Sequence, residues 1–231
     1  MSDKQKSKLA VFDIDGTIFR SSLLIELVEA LIKEKIFPVI AKSYYETSLE
    51  KWHRRSDGYD PYIMDVINTY LKFIKGVRRA DIWKVAEKVV HDQSQYTYRY
   101  TRDLIDKLRR DYFLLAVSLS PYEIVAPFAK AYGFDKTYAH VYEVDRNVKF
   151  TGNVLYADVM KHKDEVLKRA IAKEGLSLKG SIGVGDSESD IAFLRLVDNP
   201  IAFNPSSGLY LIAKRNKWKV VIERKDVIYF I

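Results

Sequence analysis

The chain has 231 residues, 48% of them apolar, no cysteine and a net charge of +7. That length and apolar content allow one sizeable domain or two small ones with a real core and exclude a disordered chain, and the lack of cysteine excludes disulfides and thiolate metal sites. The positive balance suits an anionic substrate, a nucleic acid or an anionic surface, but the basic residues come as scattered doublets such as Arg54-Arg55 and Arg109-Arg110 with no basic tail, so specific nucleic-acid binding is not expected.

Residues 1–8 are polar and basic with no apolar stretch behind them, unlike a signal peptide. No uncharged apolar run nears the ~20 residues of a membrane span. A cytoplasmic protein with no membrane partner is the expectation. The first apolar run, Leu9-Ala10-Val11-Phe12, reads as a strand and stops at Asp13-Ile14-Asp15-Gly16-Thr17. Residues i and i+2 of a strand share a face, so both carboxylates should lie near each other at its end. Such a pair needs a cation, a shared proton or solvent, and a hard divalent metal such as Mg2+ fits. Asp-x-Asp-Gly is also ordinary turn chemistry, so this segment alone does not decide.

Residues 20–110 show helical grammar only. Leu23, Leu24, Leu27, Val28, Leu31 and Ile32 form a stripe behind a Ser21 or Ser22 N-cap. Pro38 interrupts it. Tyr59-Asp60-Pro61-Tyr62 launches another helix through Ile63, Val66, Ile67, Tyr70 and Leu71, and Gly76 ends it. Asp81 should cap a long last helix through Val85, Val89, Leu104 and Leu108. Tyr96, Tyr98 and Tyr100 alternate like a strand but are read as helix from their flanks, with packing rather than binding as their role.

The next apolar run, Phe113-Leu114-Leu115-Ala116-Val117, stops at Ser118-Leu119-Ser120-Pro121. Residues 142–152 read as a hairpin turning at 145–147. A helix over 161–173 follows, with Val166, Leu167, Ala170 and Ile171 on one face. Lysine in its opening turn is poorly placed for the helix dipole, which suggests another use for that residue, although a solvated lysine is the plainer explanation. Ile182-Gly183-Val184 stops at Gly185-Asp186-Ser187-Glu188-Ser189-Asp190, and Ile201-Ala202-Phe203 at Asn204-Pro205. Apolar runs without alternation, each ending in a polar loop, are the mark of buried parallel strands. Ligands of such sheets bind beyond the strands' carboxyl ends, which puts Asp13, Asp15, Ser118 and Asp186 on one rim. The last strand covers 219–222, and the apolar 227–231 must be covered by the core or a second chain. The four histidines have no metal-ligand spacing, and His162, beside Lys163, is read as a surface residue.

Asp13-Ile14-Asp15-Gly16-Thr17, Val117-Ser118, Lys163 and Gly185-Asp186-Ser187-Glu188-Ser189-Asp190, in this order, resemble the motifs of a haloacid dehalogenase-superfamily phosphatase. The similarity is to its phosphoserine phosphatase-like branch, with a helical cap inserted soon after the first motif. The resemblance implies an α/β fold: a Rossmann-like three-layer core with a mainly parallel sheet, over residues 1–19 and 111–231, plus an inserted all-helical cap over 20–110. It implies that Asp13 attacks phosphorus, that Asp15 is general acid and base, that Ser118 and Lys163 hold the phosphoryl group, and that Thr17 bonds within the loop or to substrate. Mg2+ would be held by Asp13, the backbone carbonyl of Asp15 and Asp186, with Asp190 near the metal or orienting Lys163. The family's phosphoserine enzymes place an acid shortly after the first motif, whereas this chain has Phe19-Arg20-Ser21-Ser22. The expected partner is therefore another small phosphorylated metabolite, with Arg20, Arg54 and Arg55 as candidates to read a carboxylate or second phosphate. A phosphotransferase or mutase with the same intermediate, or a non-catalytic nucleic-acid or protein binding module, are the competing readings.

Overall fold

The computed structural model describes residues 6–231; the expectation for residues 1–5 lies outside them. Strand β1, Lys8–Phe12, lies between β2, Tyr112–Pro121, and β5, Ser177–Gly185, parallel to both. Ala10 and Phe12 enter one core cluster and Leu9 and Val11 another, all fully buried. A strand covered on both faces has no polar side to show, hence the unbroken apolar run. The remaining strands are β3, Lys136–Val144, β4, Phe150–Leu155, β6, Asn199–Phe203, β7, Lys219–Arg224, and β8, Val227–Phe230. They complete a sheet ordered β4-β3-β2-β1-β5-β6-β7-β8, antiparallel only at the β3–β4 and β7–β8 ends.

Helices lie on both faces. Helices α1, Leu23–Lys33, and α6, Tyr122–Ala131, pack on the Phe12 side. Helices α8, Lys163–Glu174, α9, Ile191–Leu194, and α10, Ser207–Arg215, pack on the Val11 side, where the short α7, Ala157–Lys161, precedes α8. This is the three-layer, mainly parallel α/β arrangement expected of the sequence. No described helix is long and apolar enough to cross a membrane.

Between β1 and β2 the described elements are all helical. After α1 come a 3-10 turn over Val39–Tyr44, α2, Glu46–His53, α3, Tyr59–Ile74, α4, Arg79–Gln93, and α5, Arg99–Leu108. Tyr62, Val66, Tyr70 and Ile74 form the buried stripe of α3, at the spacing an amphipathic helix requires. The α3–α4 junction is tied to the β3–β4 hairpin through backbone bonds from Gly76 to Phe150, Phe150 to Val77 and Arg79 to Val148. It is also tied to α6, because Arg79 Nε donates to Glu123 Oε1 at 2.8 Å.

Several expectations need correcting. The last helix of the insertion is not continuous: α4 stops at Gln93 and α5 starts at Arg99. Between them Thr97 pairs antiparallel with Phe19, Arg20 N–H donates to Tyr96 O and Tyr98 N–H to Ile18 O. The alternating tyrosines were a true strand-like signal, and a partner some 80 residues away satisfies it. Asp81 does not cap α4. Arg78 holds the N-cap position and Asp81, one turn in, pairs with its guanidinium at 2.9 Å. Ser22 stands at the N-cap of α1 but makes no side-chain cap bond. The helix expected over 161–173 is broken at His162, and β3 begins well before residue 142. Residues 227–230 form an edge strand that leaves Tyr229, Phe230 and Ile231 more than half exposed.

Glu123 is fully buried, and burial pushes its carboxyl above the usual range although Arg79 pulls the other way. The folded chain thus holds that proton more tightly than the unfolded one, so this group's contribution falls as pH rises through and above the ordinary glutamate range. Arg79→Met strands the carboxylate and should cost about 3 kcal/mol at pH 8, and clearly less at pH 5, where Glu123 can take a proton. Equal losses in urea unfolding at the two pH values would contradict this account.

Candidate active site

The carboxyl ends of β1, β2 and β5 converge on one rim. Asp13 directly follows β1, and its N–H donates to Val184 O of β5 at 3.0 Å, which fixes where the side chain leaves the sheet. Lys163 is the first residue of α8 and only 1% exposed. Its Nζ donates to Asp13 Oδ1 and to Asp190 Oδ1, both at 2.6 Å. This accounts for a lysine at a helix start, where the dipole disfavours it: two buried carboxylates outweigh that cost. Burial opposes the charge on Lys163, but Asp13 and Asp190 together hold its pKa above the usual lysine range.

Asp190 braces the loop after β5. Its Oδ2 accepts the N–H groups of Asp186 at 3.0 Å and Ser187 at 3.1 Å. Asp186 Oδ1 in turn accepts Thr17 Oγ1 at 3.1 Å, so Thr17 joins the first and last motifs. Gly16 has φ +76, and a Cβ there would overlap the Asp186 carboxylate. Behind the loop, Ser206 N–H donates to Asp186 O, while Glu188 accepts from Ser206 Oγ and Gly208 N–H.

Carboxylate oxygens of Asp13, Asp186 and Asp190 lie within 4.8 Å of one another. Burial, followed by mutual repulsion outweighing Lys163, raises Asp186 to about 8. Asp13 is raised in the same sense, by burial first, with Lys163 opposing and the neighbouring aspartates adding. Crowded carboxylates that resist ionisation are a site that favours added positive charge, and three hard oxygens at this spacing suit a divalent cation such as Mg2+.

The Asp15 side chain stands outside that trio. Its Oδ1 accepts Leu23 N–H, the first amide of α1, at 2.5 Å. Its Oδ2 accepts Ser118 Oγ at 3.0 Å and Ser120 Oγ at 2.7 Å. Asp15, not Ser22, therefore satisfies the start of α1. Burial raises the Asp15 pKa, and the Leu23 amide and the two hydroxyls partly offset it.

The structure thus gathers Asp13, Asp15, Thr17, Ser118, Lys163, Asp186 and Asp190. Among the described residues, no hydrogen bond or ion pair links Arg20, Arg54 or Arg55 to them. Arg20 is exposed and lies over the Tyr98 ring, Arg54 pairs with Glu50, and Arg55 lies over Trp52. Sequence reasoning missed two partners of Asp15. Ser120 had a signal, because Ser-x-Ser places both hydroxyls on one face just as Asp-x-Asp does. The Leu23 amide had none.

The model of the haloacid dehalogenase-like hydrolase family matches residues 10–195. A probable phosphatase of Mycobacterium tuberculosis is 26% identical over 217 residues, covering 92% of this chain and 74% of the relative. A histidinol-phosphatase of Neisseria meningitidis serogroup C is 25% identical over 223 residues, covering 92% and 97%. A phosphoserine phosphatase structure, a phospho-aspartyl intermediate analogue, superimposes with TM-score 0.60 at 23% identity, covering 96% of this chain and 95% of that one.

Gly16→Ala forces a side chain into left-handed backbone against Asp186. It should cost about 1–3 kcal/mol by urea unfolding, and an unchanged midpoint would show that the loop yields freely.

Proposed function

The chain belongs to the haloacid dehalogenase-like hydrolase family, and from that premise we propose that it is a Mg2+-dependent phosphatase acting on a small phosphomonoester through an aspartyl phosphate on Asp13. The observation that carries this reading is the buried network of Asp13, Lys163, Asp190 and Asp186. It is what a nucleophilic carboxylate needs in order to meet an anionic phosphoryl group.

Lys163 occupies Asp13 Oδ1, and Oδ2 accepts no hydrogen bond among the described residues. Oδ2 is the oxygen that attacks phosphorus. The bond from phosphorus to the leaving oxygen breaks with its electron pair, and Asp15 supplies the proton to that oxygen. Asp15, now a carboxylate, takes a proton from water as the water oxygen attacks the same phosphorus. The bond to Asp13 breaks, releasing orthophosphate and restoring both side chains. Ser118 and Lys163 donate to the phosphoryl oxygens. Asp13, Asp186 and the Asp15 carbonyl would hold Mg2+, with Asp190 keeping Lys163 and the 186–187 amides in place. When bound, the ion neutralises charge between nucleophile and substrate and in the transition state.

Residues 20–110 act as a cap over this core and choose the substrate. Arg20, exposed beside Tyr98, is available to an acidic group of the substrate. Relatives named for histidinol phosphate and for phosphoserine support the class of substrate without choosing a member.

The test is phosphate release from a panel of small phosphomonoesters, with Mg2+ and with chelator. Asp13→Asn should lose at least about 1,000-fold in kcat; a variant as fast as the parent would remove Asp13 as nucleophile. Asp186→Asn should weaken Mg2+ binding in calorimetry by about tenfold or more. An Arg20→Ala enzyme with unchanged KM for carboxylate-bearing substrates would take Arg20 out of the site.

A further inference from the structure

Ser118 carries one hydroxyl proton. It is donated to Asp15 Oδ2 at 3.0 Å, while Ser118 Oγ itself accepts Ser120 N–H at 3.0 Å. A serine that serves a phosphoryl oxygen must turn that proton away from Asp15. Asp15 would then lose one of its fixed donors at the moment when it has to face the leaving oxygen. Ser120 Oγ meets the same Asp15 oxygen at 2.7 Å, the shorter of the two bonds, and makes no other hydrogen bond among the described residues.

The surroundings hold Ser120 for this task. It is 4% exposed and Ser118 is fully buried. Both side chains leave the same face of β2, whereas Leu119 between them is 37% exposed. Pro121 follows with φ −59 and opens α6, so the backbone after Ser120 has little freedom. The Leu23 amide on Asp15 Oδ1 supplies the second fixed point.

We propose that Ser120 is a positioning residue: it keeps Asp15 aimed while Ser118 leaves Asp15 to bind the phosphoryl group. The inference deepens the phosphatase reading and rests on it. Two adjacent hydroxyls then divide the work, one on the substrate and one on the acid. Losing Ser120 leaves phosphate binding intact but spoils proton delivery to the leaving oxygen.

The kinetic test compares Ser120→Ala and Ser120→Thr with the parent on an alkyl phosphomonoester and on p-nitrophenyl phosphate, whose leaving oxygen needs little protonation. Ser120→Ala should lower kcat/KM for the alkyl ester about 10- to 100-fold, with a drop on p-nitrophenyl phosphate at least about fivefold smaller. Ser120→Thr, which keeps a hydroxyl, should recover most of the loss. Orthophosphate binding to the Mg2+-loaded Ser120→Ala protein should stay within about twofold of the parent, while Ser118→Ala weakens it about tenfold. Equal losses on both esters, or orthophosphate binding weakened as in Ser118→Ala, overturn the inference. A parent inactive on every phosphomonoester would count against the phosphatase reading instead. Crystals of the parent soaked with Mg2+ and orthophosphate then decide the inference without turnover. Ser118 Oγ on phosphate with Ser120 Oγ still on Asp15 supports it, and Ser118 staying on Asp15 while Ser120 lets go refutes it.

Discussion

Four carboxylates, two buried and two half-buried, gathered at one rim with a single buried ammonium group are the constraint on which this structure depends. Asp13, Asp15, Asp186 and Asp190 meet where strands end, and Lys163 is the cation that bonds two of them. Removing so much charge from water is costly unless each group is partnered. The fold meets that demand one group at a time: Lys163 for Asp13, two backbone amides for Asp190, Thr17 for Asp186, two hydroxyls and a helix amide for Asp15. The remaining imbalance is seen in the raised pKa values of Asp13 and Asp186, and it points to a cation.

What could be read in advance followed from local chemistry. Apolar runs such as Leu9-Ala10-Val11-Phe12 are buried on both faces, so lack of alternation alone marked them as interior parallel strands. A lysine against the helix dipole hinted at another use, and the family resemblance singled out Lys163. What could not be read came from distant partners or from the backbone. The segment 94–98 looked helical from its flanks, yet its pairing with Phe19 and Ile18 outweighs that local preference. The Asp15 side chain was expected near that of Asp13; the partners that hold it, on α1 and β2, were not legible, because a backbone amide at Leu23 leaves no trace in residue identity.

Several ties join the helical insertion to the sheet layer, among them three that bear on the site. Leu23 bonds Asp15 at the start of α1. Arg79 pairs with Glu123, three residues after Ser120. The 76–79 junction adds strand-like bonds to the β3–β4 hairpin. The first of these ties ends on Asp15 itself, and the second on Glu123 in the first turn of α6, which follows Ser120 and Pro121. The position of the helices and the aim of the acid are therefore set by overlapping contacts.

The Leu23–Asp15 bond has a practical corollary for chimeras. A swap of the helical segment between relatives that cuts the chain at residue 19 or 20 would import a foreign first turn, and with it a foreign donor for Asp15. A donor displaced by half an ångström misaims the proton, so a grafted protein could recognise its new ligand and still be a poor catalyst. A seam placed beyond Leu23 keeps donor and acceptor on the same parent, and changes selectivity while leaving the chemistry alone.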